Sequence, residues 1–126
     1  MLRFLSVVFF GLMALGCGSS ESQLGEKPAN LVPEETMVKI LAQVHLNEAR
    51  ISKYSLGSTD SASILFNRLQ AKTLKQYGVD TSAYTKSYIY YSARPADLAR
   101  IYERVVEQLK EVQKAKEKVV SKKPIS

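Results

Sequence analysis

The chain carries one cysteine and one histidine, and it has no tryptophan. A single cysteine excludes any disulfide within the chain, so buried apolar side chains have to hold the fold. One cysteine with one histidine falls short of a zinc ligand set, and no Ser-His-Asp arrangement stands out. A glycine-rich phosphate loop and a paired-carboxylate site are also missing. No apolar run reaches the roughly 20 residues that cross a hydrocarbon core; the run from Phe4 to Leu15 has 12. These absences predict a non-catalytic protein that uses no cofactor and no metal.

What is present begins with the place of the cysteine. Met1-Leu2-Arg3 is a charged start, the apolar run follows, and Ala14-Leu15-Gly16-Cys17-Gly18-Ser19-Ser20 closes it. That length suits the h-region of a secretory signal. The junction resembles the lipobox of bacterial lipoproteins, whose cysteine is S-lipidated and becomes the mature N-terminus after cleavage. It departs from the usual pattern in having Ala14 where Leu is common. Ordinary cleavage before Cys17 is the competing reading, and it leaves a lone thiol in an oxidising compartment. The expected layout is a signal peptide over 1–16, a lipidated N-terminus and flexible linker over 17–30, a helical domain over 31–112, and a basic helical or disordered tail over 113–126. Cys17 is the expected lipid attachment and the link to the membrane.

The formal charge of +6 is unevenly spread. From Lys110 onward six basic residues face two acidic ones, whereas 17–109 has a net charge of +1. A nearly neutral domain behind an export signal excludes nucleic acid as a partner class. The lysine-rich tail reads as a solvated helix end, with contact to anionic lipid as the alternative.

Helical periodicity organises the rest. Pro33 suits a first helical position, Glu34 and Glu35 suit the positive end of the dipole, and Met37, Ile40, Leu41, Val44 and Ile51 share one face. Tyr54–Thr59 reads as a loop, and Asp60 or a neighbouring Ser or Thr caps a second helix. Its stripe is Ala62, Leu65, Phe66, Leu69, Thr73 and Tyr77, stopped by Gly78 in the left-handed conformation. Asp80-Thr81-Ser82 offers caps for a third helix carrying Tyr84, Ser87, Tyr88 and Tyr91. Pro95 ends that helix and opens a fourth with Leu98, Ile101, Tyr102, Val105, Leu109 and Val112 on one face, packed to about Val112. No segment alternates for long enough to make a strand. The fold class predicted is all-α, a small bundle of about four helices behind the signal peptide and linker.

Two blocks carry a family resemblance. One is Lys27-Pro28-Ala29-Asn30-Leu31-Val32-Pro33-Glu34-Glu35-Thr36-Met37, continuing through Ile40-Leu41 to His45 and Glu48-Ala49. The other is Tyr77-Gly78-Val79, Tyr84, Ser87, Tyr91, Pro95, Leu98, Ile101-Tyr102 and Leu109. Together they resemble a lipoprotein family of the Bacteroidota, a domain of unknown function numbered 4296 in that series, with Gln43 standing where an acid is expected before His45. The resemblance implies a lipid-anchored helical envelope protein and transfers no catalytic residue. Surface-exported lipoproteins of that group usually carry an acidic cluster after the cysteine. Here Glu21 is the one acid in the linker's first part, which favours the periplasmic face of the outer membrane.

Two constellations remain. Glu48 lies about 20° from the centre of the first helix's apolar face, with His45 one turn earlier. The plainer reading is a structural polar cluster satisfied by tyrosine hydroxyls and His45, with Glu48 partly buried. The functional readings are a ligand or partner site and, with further carboxylates or water, a metal. The seven tyrosines are the second feature. Tyr84, Tyr88 and Tyr91 form a stripe that is core or interface, and Tyr90 is the best exposed aromatic. Arg94, Arg100 and Arg104 form a basic edge read as a solvated face. The expected function is a protein-binding accessory module with an envelope protein partner, using His45, Glu48, Tyr84, Tyr88, Tyr90 and Tyr91. The alternative is a carrier of a small amphiphile in a pocket lined by Tyr84, Tyr88 and Phe66. The sequence sets no oligomeric state.

Overall fold

In the computed structural model, residues 25–54 and 57–122 are described. They form four helices, α1 (Glu34–Lys53), α2 (Thr59–Gln76), α3 (Thr81–Ser92) and α4 (Pro95–Ser121), with no strand among the described residues. The all-α bundle read from periodicity is the fold.

Local chemistry sets the boundaries. Pro33 stands one residue before α1 rather than inside it, with φ −57° and ψ 147°, and its carbonyl accepts the first helical bond from Met37. No side chain caps this end, so Glu34 and Glu35 supply the charge that the dipole favours. Ser58 caps α2 by accepting from the Ser61 amide at 3.2 Å. The far end of α2 closes on Gly78 at φ +65°. There Val79 N–H donates to Leu74 and Gly78 N–H to Lys75, the paired bonds of a Schellman motif. Asp80 caps α3 through the Ala83 amide at 2.8 Å. Pro95 opens α4, whose 27 residues span about 40 Å.

α1 is the central element. It packs against α2 on one side and α4 on the other, while α3 packs on α4 with a smaller contact to α2. Flanked in this way, α1 buries Met37, Val38, Ile40, Leu41 and Ala42, a wider face than a single stripe. Leu74, Ala83, Tyr91, Ile101 and Val105 complete the core with Val32 from the lead-in segment. Each large apolar side chain buried here contributes about 1.5–3 kcal/mol. α2 is covered less: Thr73 and Leu74 are buried, whereas Ala62, Leu65, Phe66 and Leu69 are half-buried and Ile64 is exposed. The bundle is therefore tight around the end of α2 that meets α3 and looser where α2 begins.

The lead-in segment belongs to the fold. Val32 donates its N–H to Ser87 Oγ and accepts from Tyr91 Oη, both at 2.8 Å. Further back, Arg94 donates to the Gly25 carbonyl at 3.0 Å. Residues 25–30, read above as the end of the linker, thus run alongside the end of α3. At the opposite extreme, α4 remains helical past Val112, yet every residue from Gln113 to Lys122 is exposed.

Candidate functional site

α1 and α3 do not approach each other closely. From α3 come Tyr84 and Tyr88, one helical turn apart, with ring centroids 6.3 Å apart and planes tilted by 35°. From α4 comes Tyr102, whose ring meets His45 of α1 edge-on at 6.2 Å. His45 Nδ1 in turn lies 3.2 Å from Glu48 Oε2. Four expected site residues, His45, Glu48, Tyr84 and Tyr88, are thereby gathered, and Tyr102 joins them. The sequence pattern places Tyr102 in the core stripe of α4; its position on the flank of that stripe, beside Ile101, is the signal that it faces sideways.

Two hydroxyls of the cluster are raised by their surroundings. The Tyr102 hydroxyl is pushed up to about 12, first by interaction with the Tyr88 hydroxyl, then by burial, with smaller contributions from Tyr84 and Glu48. Burial raises Tyr84, and Tyr88 and Glu48 add to the shift. Tyr84 and Tyr102 therefore stay protonated near neutrality, and the cluster offers hydroxyl dipoles, ring faces and one carboxylate.

Glu48 corrects an expectation. Its side chain is 53% exposed and takes no hydrogen bond from a tyrosine hydroxyl; His45 is its partner. The buried polar residue of α1 is its neighbour Asn47, which accepts from Gln43 Nε2 at 3.0 Å and donates to Thr73 Oγ1 of α2 at 3.3 Å. The apolar face of α1 turns toward solvent at the level of Glu48. There Glu48 lines an open groove of about 490 Å³ with Ile51 of α1 and Phe66 of α2.

The other two expected tyrosines lie elsewhere. Tyr91 is buried and bonds Val32, so it belongs to the core. Tyr90 packs edge-on against it at 5.5 Å and is half-buried, rather than free, beneath Arg94. The basic edge is likewise spoken for at two of its three positions. Arg94 lies with its guanidinium carbon 3.7 Å from the Tyr90 ring centroid, and Arg100 bonds Glu34 and Asp97. Arg100 holds the Glu34 carboxyl below its ordinary value. Cys17 lies outside the described residues.

Residues 28–115, from the lead-in segment through the packed part of α4, match the profile of a family described as a domain of unknown function, DUF4296. The chain belongs to that family. No curated protein matches it. No solved structure matches it either. The DUF4296 match takes in all five residues of the cluster and stops inside α4 where that helix leaves the bundle. No described helix is long and apolar enough to cross a membrane.

Proposed function

We propose that this protein is a non-catalytic envelope lipoprotein, anchored through lipid on Cys17 at the periplasmic face of the outer membrane. There it serves as a protein-binding accessory module in envelope assembly or maintenance. One observation carries the docking role. Tyr84, Tyr88 and Tyr102 are left partly open in the gap between α1 and α3, while the core beside them is closed. Tyrosine presents a large rigid surface with a polar end, the kind of side chain that concentrates binding energy at interfaces. The anchor rests on the sequence around Cys17.

The carrier reading has one observation in its favour, the α1–α2 groove that sets Phe66 and Ile51 beside Glu48. Phe66 lines that groove without Tyr84 or Tyr88, and the groove is open to solvent, whereas ligand sites bury most of their occupant. Docking is therefore the reading we favour. A photo-reactive residue at exposed Thr85, on α3 between Tyr84 and Tyr88, tests it in intact cells. A specific crosslink to an envelope protein, lost in a Tyr84→Ser/Tyr88→Ser double variant, is expected. Absence of any protein adduct, or an adduct unchanged by the double variant, overturns it. For the anchor, Cys17→Ser should accumulate as precursor, and normal processing with unchanged membrane association would refute lipidation.

A further inference from the structure

We infer that the tyrosine cluster receives a cationic side chain, an arginine guanidinium or a lysine ammonium, from the docked partner; this rests on the docking reading above. Tyr84 and Tyr88 of α3 lie with ring centroids 6.3 Å apart, Tyr102 of α4 has its hydroxyl at Tyr88 and its ring against His45 of α1, and His45 lies 3.2 Å from the Glu48 carboxylate on the same helix. An aromatic face attracts a cation placed within about 6 Å of its centre, and a carboxylate adds a charge-assisted hydrogen bond. Glu48 adds, after burial and the neighbouring phenols, to the upward shift of the Tyr84 and Tyr102 hydroxyls.

No described lysine or arginine is seated in the cluster. Among the described residues Glu48 has His45 as its ion-pair neighbour and no lysine or arginine within 4.0 Å. No described cation lies over the rings of Tyr84, Tyr88 or Tyr102. The same chain also shows the filled arrangement. At the end of α3, Arg94 stacks on Tyr90 at 3.7 Å and donates to the carbonyls of Tyr90 and Gly25, both at 3.0 Å. Around Tyr90 the cation is supplied from within; around Tyr84, Tyr88 and Tyr102 no described lysine or arginine is, and the Glu48 carboxylate meets only the His45 imidazole.

Other anchors fit worse. An aliphatic side chain would desolvate Glu48 and the phenol hydroxyls without returning a hydrogen bond. An acidic one would meet Glu48 with like charge. A basic side chain satisfies both the rings and the carboxylate.

The test uses the full chain in detergent, labelled with 3-fluorotyrosine and read by fluorine NMR. N-acetyl-arginine amide and N-acetyl-lysine amide are titrated against the norleucine and glutamate counterparts. The basic probes should shift the Tyr84, Tyr88 and Tyr102 signals saturably, and the neutral and acidic probes should not. Glu48→Gln should weaken the arginine probe by roughly two- to fivefold, the range of a partly exposed charge contact. Tyr88→Leu should remove the response. Tyr88 and Glu48 are exposed, so both variants are expected to keep the wild-type melt. Equal shifts from norleucine amide, or an unchanged response in Glu48→Gln, overturn the inference. The crosslink from Thr85 separates this from the docking reading. A captured segment containing Arg or Lys supports both, and one lacking any cation refutes the cationic anchor alone. Absence of a protein adduct refutes docking, and the titration still decides whether a cation binds.

Discussion

Val32 is held at both of its backbone polar groups, and the cost of freeing either one follows from burial. Its N–H donates to Ser87 Oγ and its carbonyl accepts from Tyr91 Oη, each at 2.8 Å. Ser87 is 0% exposed, and Val32 and Tyr91 are each 4% exposed, so water does not replace a lost partner. Ser87→Ala leaves a buried donor unpaired, at about 1–3 kcal/mol. Tyr91→Phe keeps the ring in place and strands only a carbonyl, which is tolerated somewhat better than an amide, so about 1–2 kcal/mol is expected. For a domain of this size each kcal/mol lowers Tm by roughly 4–8 °C. Both changes release the same residue, so once one bond is lost the segment is free to shift, and the double variant should lose less than the two single losses combined. Urea unfolding followed by circular dichroism gives the free energies, and hydrogen exchange at the Val32 amide reports the local bond. Single variants within 0.3 kcal/mol of wild type, or full additivity with an unchanged exchange rate at Val32, would refute the clamp.

Three further outcomes are expected. Asn47→Ala should destabilise by about 1–3 kcal/mol through loss of a buried polar bridge to Thr73, whereas Glu48→Ala, exposed and paired only with His45, should cost a few tenths; paired melts check the contrast. Glu34, held by Arg100 below its ordinary 4.5, adds stability that is fully present above that value and lost as pH falls through its folded one. Stability curves of wild type and Glu34→Gln should therefore separate above about pH 4.5 and converge in stronger acid. Truncation after Gln113 should remove helical signal while leaving the unfolding midpoint nearly unchanged, because every residue from Gln113 to Lys122 is exposed.

Most of the architecture was legible because its signals are local. Gly78, Asp80 and Pro95 each mark a helix end through their own backbone or side-chain chemistry, and all three act where they were expected to. The α4 stripe was equally plain: its period is set by the one face that packs, and exposure beyond Val112 follows the loss of apolar residues from that face. The Schellman closure of α2 and the caps of α2 and α3 needed no knowledge of any other helix.

The site was harder to read, because periodicity gives the direction of a side chain but not the height at which a neighbouring helix stops covering it. Glu48 lies on the same face as Met37 and Leu41, yet those two are buried and Glu48 is not. Its angle was right; the covering layer had run out by that turn. Asn47 was passed over for the converse reason, since a single amide looks like any surface residue until Thr73 of a second helix is set opposite it. The tyrosines divide by the same rule. Tyr91 and Tyr88 are one turn apart on α3, but Tyr91 meets the lead-in segment at Val32 whereas Tyr88 faces the gap that α1 leaves open. What separates the buried tyrosine from the partly open one here is thus which neighbouring element reaches it. No single helix encodes that neighbour, which is why the cluster of His45, Glu48, Tyr84, Tyr88 and Tyr102 emerges only when three helices are set side by side.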